Sequence, residues 1–583
     1  MFKGHPKGLY ALALSNTGER FGYYTMLAVF ALFLRENFGL EAGTAGAIYS
    51  TFLGLVYFMP LIGGVMADKF GFGKMVTIGI SIMFVGYMLL SFPLGGDMIA
   101  MIAMMAALLF ISLGTGLFKG NLQVMVGDLY NDPKYADKRD SGFSLFYMAI
   151  NVGSLFAPTT AVGIKNWAQN DLGYSSNDAY HFAFAVACVA LVVSIIIYYA
   201  FRSTFRHVEG GKKNGAAAAQ VNDTLTPAET KQRIVALCLV FAVVIFFWMA
   251  FHQNGLTLTY FADEFTNTTA FGFDTMLFDV WNLVMLIVAV YATFSIFQST
   301  SAKGKLTSGV LATGILAFLV YRAFGAEGTE LAVSAPIFQQ FNPFYVVALT
   351  PVSMAIFGSL AKSGKEPSAP RKIAYGMLVA AIGFAIMAVG SQGLNTPNDQ
   401  ARAIAVNKAE TIAKDMNNAA DDAALKAAEK AKSDFEGKLT KENKEVFETV
   451  YNASMVTMSA DSDQAQIAAA NAELEAIKAD TKEETRTSPY WLIFTYLILT
   501  FAELLLSPMG ISFVSKVAPP KLKGLMMGGW FVATAIGNML VAVGGFLWAG
   551  IPLWSVWAVF ISLCLLSALF MFIMMKRLES VTK

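Results

Sequence analysis

The sequence predicts an all-α membrane protein, and three features of its composition and patterning lead to that prediction. The chain has 583 residues, of which 56% are apolar and 14% are charged, whereas soluble domains average about 45–50% and about 25%. The apolar residues gather into stretches of about 20 residues, the length of a helix that crosses a bilayer. These stretches lack the apolar and polar alternation of a transmembrane β-barrel. We therefore expect a chain that crosses the membrane many times as helices.

Fourteen apolar runs are long enough to be the expected spans. In chain order they are 8–36, 45–67, 74–94, 98–120, 141–163, 179–201, 233–260, 274–297, 307–325, 333–361, 373–391, 489–512, 523–546 and 553–575. With the N-terminus in the cytoplasm, most loop Lys and Arg residues fall on the inner side, and the short outer loops 37–44, 95–97 and 547–552 carry none. This distribution follows the positive-inside rule and predicts that both termini are cytoplasmic.

Two polar segments divide the chain. Residues 204–231 predict a cytoplasmic linker between an amino-terminal six-helix bundle, 1–203, and a carboxyl-terminal one. Residues 393–488 are rich in Ala, Lys, Asp and Glu, a composition that favours helices, and predict a helical hairpin outside the membrane that turns near Glu436–Glu442. The carboxyl-terminal bundle would then consist of 232–392, which includes two extra helices within 274–325, and of the last three helices in 489–583.

Composition and motifs also exclude several classes of protein. A net charge of +1 argues against a nucleic-acid partner, because such proteins carry clustered surplus Lys and Arg. Cys188, Cys238 and Cys564 lie inside apolar runs without metal-ligand spacing, so we expect no metal or other cofactor. The motifs HExxH and GxSxG are absent, and an enzyme is not expected.

Five ionisable side chains inside the expected spans are candidates for function, because such groups are costly in a bilayer. They are Glu19, Arg20, Lys119, His252 and Glu503. A peptide carries an ammonium, a carboxylate and amides a short distance apart. A site that offers both signs of charge would suit it, with Arg20 and Lys119 facing the carboxylate and Glu503 the ammonium.

Several motifs in this chain resemble those of the proton-dependent oligopeptide transporters, a branch of the major facilitator superfamily. The matching strings are GERFGYY in the first span, GGVMADKFGFGK after the second, GLFKGN in the fourth, FYMAINVGS in the fifth and AELLLSPMGISFVSKVAP in the second half. FFWMAFHQNG and FQQFNPFYVVALTP resemble the seventh and eighth core helices of that family. The resemblance covers nearly all of the chain except the insert. It implies the major facilitator fold and a monomeric importer of di- and tripeptides, driven by protons, in the inner membrane of a bacterium.

The resemblance also implies a central site between the two halves. The amino-terminal wall would consist of Arg20, Tyr23, Tyr24, Tyr57, Lys119 and Asn151, and the opposite wall of Trp248, Asn342, Glu503 and Ser507. Asp68 resembles the gating carboxylate of the superfamily. Proton coupling would fall to Glu19, His252 and Glu503.

This chain departs from the family pattern at three positions and in its topology. Asn16 replaces an acid, Leu27 replaces an Arg, and His252 stands where the family carries an acid. The ion pair that closes the outer gate in the family is therefore predicted to be missing. The two extra helices follow the FFWMAFHQNG segment instead of lying between the halves. Transport of another small solute, peptide transport without proton coupling, and a receptor built around the insert remain alternatives.

Overall fold

The computed structural model describes residues 4–210, 225–459 and 462–581, and nearly all of its regular structure is helical. The helices of the amino-terminal half are α1 Lys7–Phe38, α2 Ala42–Phe70, α3 Phe72–Leu90, α4 Met98–Asp128, α5 Arg139–Asn170 and α6 Ser176–Ala200. They are followed by α7 Pro227–Phe251, α8 Thr257–Glu264, α9 Thr275–Phe278, α10 Val280–Gln298, α11 Ala302–Gly325, α12 Phe341–Lys362 and α13 Ala369–Gly390. The last eight are α14 Pro397–Asn417, α15 Asp422–Glu436, α16 Lys441–Met458, α17 Gln464–Ala479, α18 Tyr490–Val517, α19 Lys523–Met539, α20 Ala542–Trp548 and α21 Leu553–Ser580. Two short strands, β1 Thr269–Phe271 and β2 Glu330–Ala332, pair antiparallel.

Thirteen helical segments of the described residues are long and apolar enough to cross a membrane. The first helix, α1, is not among them although it has 32 residues, because Asn16, Glu19 and Arg20 lower its mean hydropathy. It nevertheless packs along α5 and α6 in the same bundle. With α1 included, each of the fourteen predicted spans has a helical counterpart, and the chain is a multi-pass membrane protein.

Close helix contacts in the amino-terminal half depend on glycine. A Cβ atom at Gly63 of α2 would lie 2.1 Å from the carbonyl oxygen of Gly116 in α4. A Cβ atom at Gly22 of α1 would lie 3.1 Å from the Cα atom of Ala187 in α6. Membrane helices approach this closely only where small residues line the interface, because larger side chains would keep the two backbones apart.

The seventh span is not one continuous helix. Helix α7 begins with a capping box, in which Thr226 and Glu229 bond to each other's backbone and side chains, and it ends at Phe251. A 3-10 turn, His252–Gly255, separates it from α8. The side chain of Gln253 secures the break by donating to the carbonyl oxygens of Met249 and Val541, each at 3.1 Å. The turn places His252 at the middle of the bundle, facing the other half.

The two extra helices, α10 and α11, form a hairpin at the edge of the bundle. Helix α10 packs against α12 and α5, whereas the buried residue of α11 is Ala312. The remaining side chains of α11 are accessible to the surroundings and most are apolar, as expected for a helix in contact with lipid. Through α10 this hairpin contacts both halves, at the edge of the interface between them.

Residues 393–488 are helical as predicted, but they fold into four helices, α14 to α17, and the prediction of a two-helix hairpin is wrong. The break between α15 and α16 falls at the predicted turn, near Gly437. The additional breaks are stabilised by caps: Asp421 accepts from the backbone of Ala424, and Asp463 forms a capping box with Gln466. Phe447 and Val450 are fully buried in a core that belongs to the insert alone.

The two halves meet at the end of the bundle from which the insert extends, called here the insert end. There a Cβ atom at Gly46 of α2 would lie 3.2 Å from the Cα atom of Gly545 in α20. Thr159 of α5 bonds to Gln340 at 3.0 Å, and Gln339 donates to the carbonyl oxygen of Ala28 at 3.0 Å. These contacts close the bundle at the insert end. Residues 211–224 of the predicted linker lie outside the described residues.

Candidate functional site

The first part of the site comes from a single turn of α1. The guanidinium of Arg20 donates two hydrogen bonds to the carboxylate of Glu19, each of 2.5 Å, and both side chains are buried. The same guanidinium lies 4.6 Å from the centre of the Tyr23 ring, a cation–π contact. Burying two charges is costly unless they are paired, and this arrangement satisfies both within one helix.

The second part is a row of aromatic and cationic groups that crosses from one half to the other. The ammonium of Lys119 on α4 lies 4.1 Å above the ring of Tyr57 on α2. The Tyr57 ring lies 6.2 Å from His252, and His252 stacks on Trp248 with ring centres 5.2 Å apart. Nε2 of His252 and Nε1 of Trp248 are buried without a hydrogen-bond partner among the described residues. Unpaired buried groups of this kind are rare, and here they lie between the two walls.

The third part surrounds Glu503 in the middle of α18. Its carboxylate accepts a hydrogen bond of 3.0 Å from the Asn342 amide and a longer one of 3.4 Å from the Tyr147 hydroxyl of the other half. Asn342 also donates to Thr500 at 3.1 Å. Glu503 is 7% exposed, and no ion pair to it is found among the described residues. A buried carboxylate held only by neutral donors leaves room for a proton or a cation.

Phenol groups connect these parts into one site. Tyr24 and Tyr57 interact electrostatically with both Arg20 and Glu503, which lie on opposite walls. Tyr147 is 45% exposed although its hydroxyl donates to the buried carboxylate of Glu503. The space between the walls is therefore accessible to solvent.

The remaining predicted residues lie at different distances from this centre. Asn151 is buried on α5 and donates to the carbonyl oxygen of Tyr147 at 3.0 Å. Ser507 is half-buried one turn after Glu503 on α18. Asp68 is exposed two residues before the end of α2, so it lies at the end of the bundle opposite the insert end and is remote from the central groups.

An ion pair that the sequence analysis did not predict joins the two halves at the insert end. Arg35 of α1 forms an ion pair with Glu264 of α8, and Trp548 donates to the same carboxylate at 3.0 Å. Leu27, at the position where the family carries its Arg, is buried. Arg35 lies eight residues further along the chain, about two helical turns. The sequence analysis missed the pair because both residues stand at span ends, where charges are common.

Two further residues of the site were not predicted, Tyr147 and Thr500. Tyr147 is the second residue of the FYMAINVGS motif, and its place four residues before Asn151 puts it on the same helix face. Thr500 precedes Glu503 by three residues and lies on the same face for the same reason. The sequence could have indicated both residues, because each lies three or four positions from a predicted site residue on the same helix.

Comparison with known proteins finds one matching family model and relatives that are all transporters by name. The POT family model matches residues 73–226, 322–413 and 453–546, more than half of the chain. The chain is 27% identical over 580 residues to the uncharacterized transporter YclF of Bacillus subtilis, with 94% of this chain and 90% of that protein covered. It is 26% identical to the peptide transporter YePEPT of Yersinia enterocolitica, with 93% of this chain and 88% of that protein covered. It is 23% identical to the dipeptide and tripeptide permease A of Escherichia coli, with 93% and 83% covered.

Solved structures show the same architecture. The chain superimposes on a peptide transporter POT mutant in complex with alafosfalin with a TM-score of 0.65 and 21% identity, covering 100% of this chain and 97% of that one. It superimposes equally well, at 0.65 and 18% identity, on a POT family transporter in complex with 5-aminolevulinic acid, covering 100% and 98%. These likenesses confirm the major facilitator fold with all-α spans. The chain therefore belongs to the POT family, as its motifs predicted.

Proposed function

We propose that this protein is a secondary transporter, not an enzyme, that imports di- and tripeptides by proton symport. The observation that carries the proposal is the arrangement of charge across the site. Arg20 and Lys119 lie on the amino-terminal wall, and Glu503 lies on the other wall without a cationic partner among the described residues. The names of the relatives, which include a peptide transporter and a dipeptide and tripeptide permease, support the same substrate class.

A zwitterionic peptide complements this arrangement. Its ammonium would occupy the free side of Glu503, and its carboxylate would approach Lys119 and Arg20. Charge-assisted hydrogen bonds of this kind are about twice as strong as neutral ones. Asn342 would orient the terminus or backbone of the peptide, and Tyr23, Tyr24 and Trp248 would provide the surrounding surface. A simple anion would leave Glu503 unused.

Proton coupling would use the same carboxylate. A proton on Glu503 and a peptide ammonium at Glu503 both neutralise it, so each state of the cycle would avoid a bare buried charge. Glu19 is already paired with Arg20, and a peptide carboxylate that competes for Arg20 would free Glu19 to accept a proton. His252, with Nε2 unpaired among the described residues, is the third candidate for the proton.

The cycle would alternate between two openings of the same site. We place both termini in the cytoplasm of a bacterium and the insert outside its inner membrane, following the positive-inside rule. The structure, closed at the insert end, then corresponds to the state open towards the cytoplasm. The two halves are complete within one chain, so a monomer would suffice.

Uptake of labelled dialanine into liposomes tests this function. We expect the purified protein to accumulate the peptide only with an inward proton gradient, and Glu503→Gln to abolish accumulation. The matched control is Glu442→Gln, an exposed carboxylate of the insert, which should transport normally.

Two results would contradict parts of the proposal. Equilibration of dialanine at the same rate with and without the gradient would mean that the changes at Asn16, Leu27 and His252 have removed coupling. Absence of any dialanine uptake would indicate that the site takes another small solute.

A further inference from the structure

The insert is fixed to the carboxyl-terminal half through the segment that follows α8. The backbone of Asn267 donates to the carbonyl oxygen of Thr487 at 3.0 Å, beside a short parallel bridge. The side chain of Gln400, which is fully buried, donates to the carbonyl oxygen of Glu264 at 2.9 Å. Both roots of the insert are thereby attached to the same half, and the insert should move with it.

The far side of the insert contacts the other half. The ammonium of Lys430 donates to the carbonyl oxygen of Gln169 at 2.7 Å. The carboxylate of Asp434 accepts from the backbone nitrogen of Ser176 at 2.9 Å and lies 3.4 Å from the Gln169 amide. Gln169 lies in the last turn of α5 and Ser176 begins α6, so these contacts hold the amino-terminal half directly.

An ion pair continues this contact towards the bundle. Lys438 lies 3.3 Å from the carboxylate of Glu36, near the end of α1. Tyr180 donates to that carboxylate at 2.8 Å, and Lys165 lies 3.8 Å from it. Burial disfavours the charge of Lys438, but the carboxylates of Glu36 and Asp263 outweigh this effect and raise the pKa of Lys438. The ammonium thus stays charged where the two halves meet.

We propose that residues 430–438, called here the latch, hold the insert end of the transporter shut by joining the carboxyl-terminal half to the amino-terminal half. Because the latch is fixed to one half and bonded to the other, its contacts must separate each time the insert end opens. It lies above the Arg35 and Glu264 pair and adds a second, outer layer of cross-half contacts. The inference rests on the alternating access of the proposed function, and it gives the insert a role in setting how often the outer side opens.

The distance between the halves at the insert end tests the latch. Spin labels at Glu41→Cys and Trp554→Cys, both exposed and on opposite halves, report this distance in the full chain with its native cysteines replaced by alanine. We expect the triple variant Lys430→Gln, Asp434→Asn, Lys438→Gln to add a population at longer distances. Lys438→Gln alone should give a smaller shift in the same direction.

A lysine on the same helix provides the control. Lys432 pairs with Glu436 at 3.2 Å and lies 4.3 Å from the Tyr451 ring, so its partners all belong to the insert. Lys432→Gln should leave the distance distribution unchanged. An unchanged distribution in the triple variant, or an equal shift in the control, would overturn the latch.

The measurement requires no substrate, so the latch and the proposed function can fail separately. An unchanged distribution in a protein that takes up dialanine would overturn the latch alone. A shifted distribution in a protein that does not take up dialanine would support the latch and overturn the peptide assignment.

Discussion

At the scale of single residues, the site contains one pair of charges that neutralise each other and two charged groups without an ion-pair partner among the described residues. Glu19 and Arg20 neutralise each other within one helix. Among the described residues, the ammonium of Lys119 lies against the face of the Tyr57 ring without an ion pair. The carboxylate of Glu503 accepts hydrogen bonds from neutral donors only. The two groups with incomplete pairing lie on opposite walls, and a ligand with two opposite charges would complete both.

Replacing Lys119 should therefore weaken the binding of peptides with a free C-terminal carboxylate more than that of peptides without one. We expect Lys119→Gln to raise the KM for dialanine by about tenfold or more, because a hydrogen bond to a charged group contributes about 1.5–3 kcal/mol and about 1.4 kcal/mol is tenfold. The KM for dialanine amide, which lacks the carboxylate, should rise much less. Competition uptake with both compounds measures the difference, and Lys69→Gln, at the exposed end of α2, is the control. An equal rise in the KM for both compounds would mean that Lys119 does not bind the peptide carboxylate.

At the scale of elements, the sequence predicted spans better than breaks. Apolar runs located the spans, including the less apolar α1, because a helix that crosses the hydrocarbon core needs about 20 predominantly apolar residues. It did not locate the 3-10 turn at His252–Gly255 or the four helices of the insert. Those breaks depend on side-chain bonds, such as Gln253 to Val541 and Asp463 to Gln466, and the first of these joins residues far apart in the chain. The Arg35 and Glu264 pair also joins residues far apart in the chain, and their places at span ends gave no separate signal.

The insert should behave as a separately packed element. Phe447 is fully buried in its core and stacks on Tyr451, so Phe447→Ala should remove about 3–5 kcal/mol of local stability. Hydrogen exchange should show faster exchange in α14 to α17 and unchanged protection in the membrane helices. Leu425→Ala, at an exposed position of α15, should leave both unchanged. Loss of protection throughout the bundle would show that the insert and the bundle unfold as one unit.

At the scale of the whole molecule, the two halves are joined at one end by several layers of contact. The central site lies beneath the hydrogen bond between Thr159 and Gln340 and beneath the pair of Arg35 with Glu264. The insert adds its own contacts outside both. All of these contacts must separate if the site is to open at that end, so the closed end carries much of the barrier of the proposed cycle.

Holding this end closed should therefore stop transport. Thr159→Cys and Gln340→Cys replace side chains of opposite halves whose polar atoms lie 3.0 Å apart. In a background without native cysteines, a short bis-methanethiosulfonate reagent, which links the two thiols through disulfides, should abolish dialanine uptake. A reductant that cleaves these disulfides should restore it, because the cycle needs the two helices to separate. Each single variant, treated in the same way, should keep its activity. Full uptake by the cross-linked protein would mean that the insert end does not open, and would exclude rocking of the two halves as the transport step.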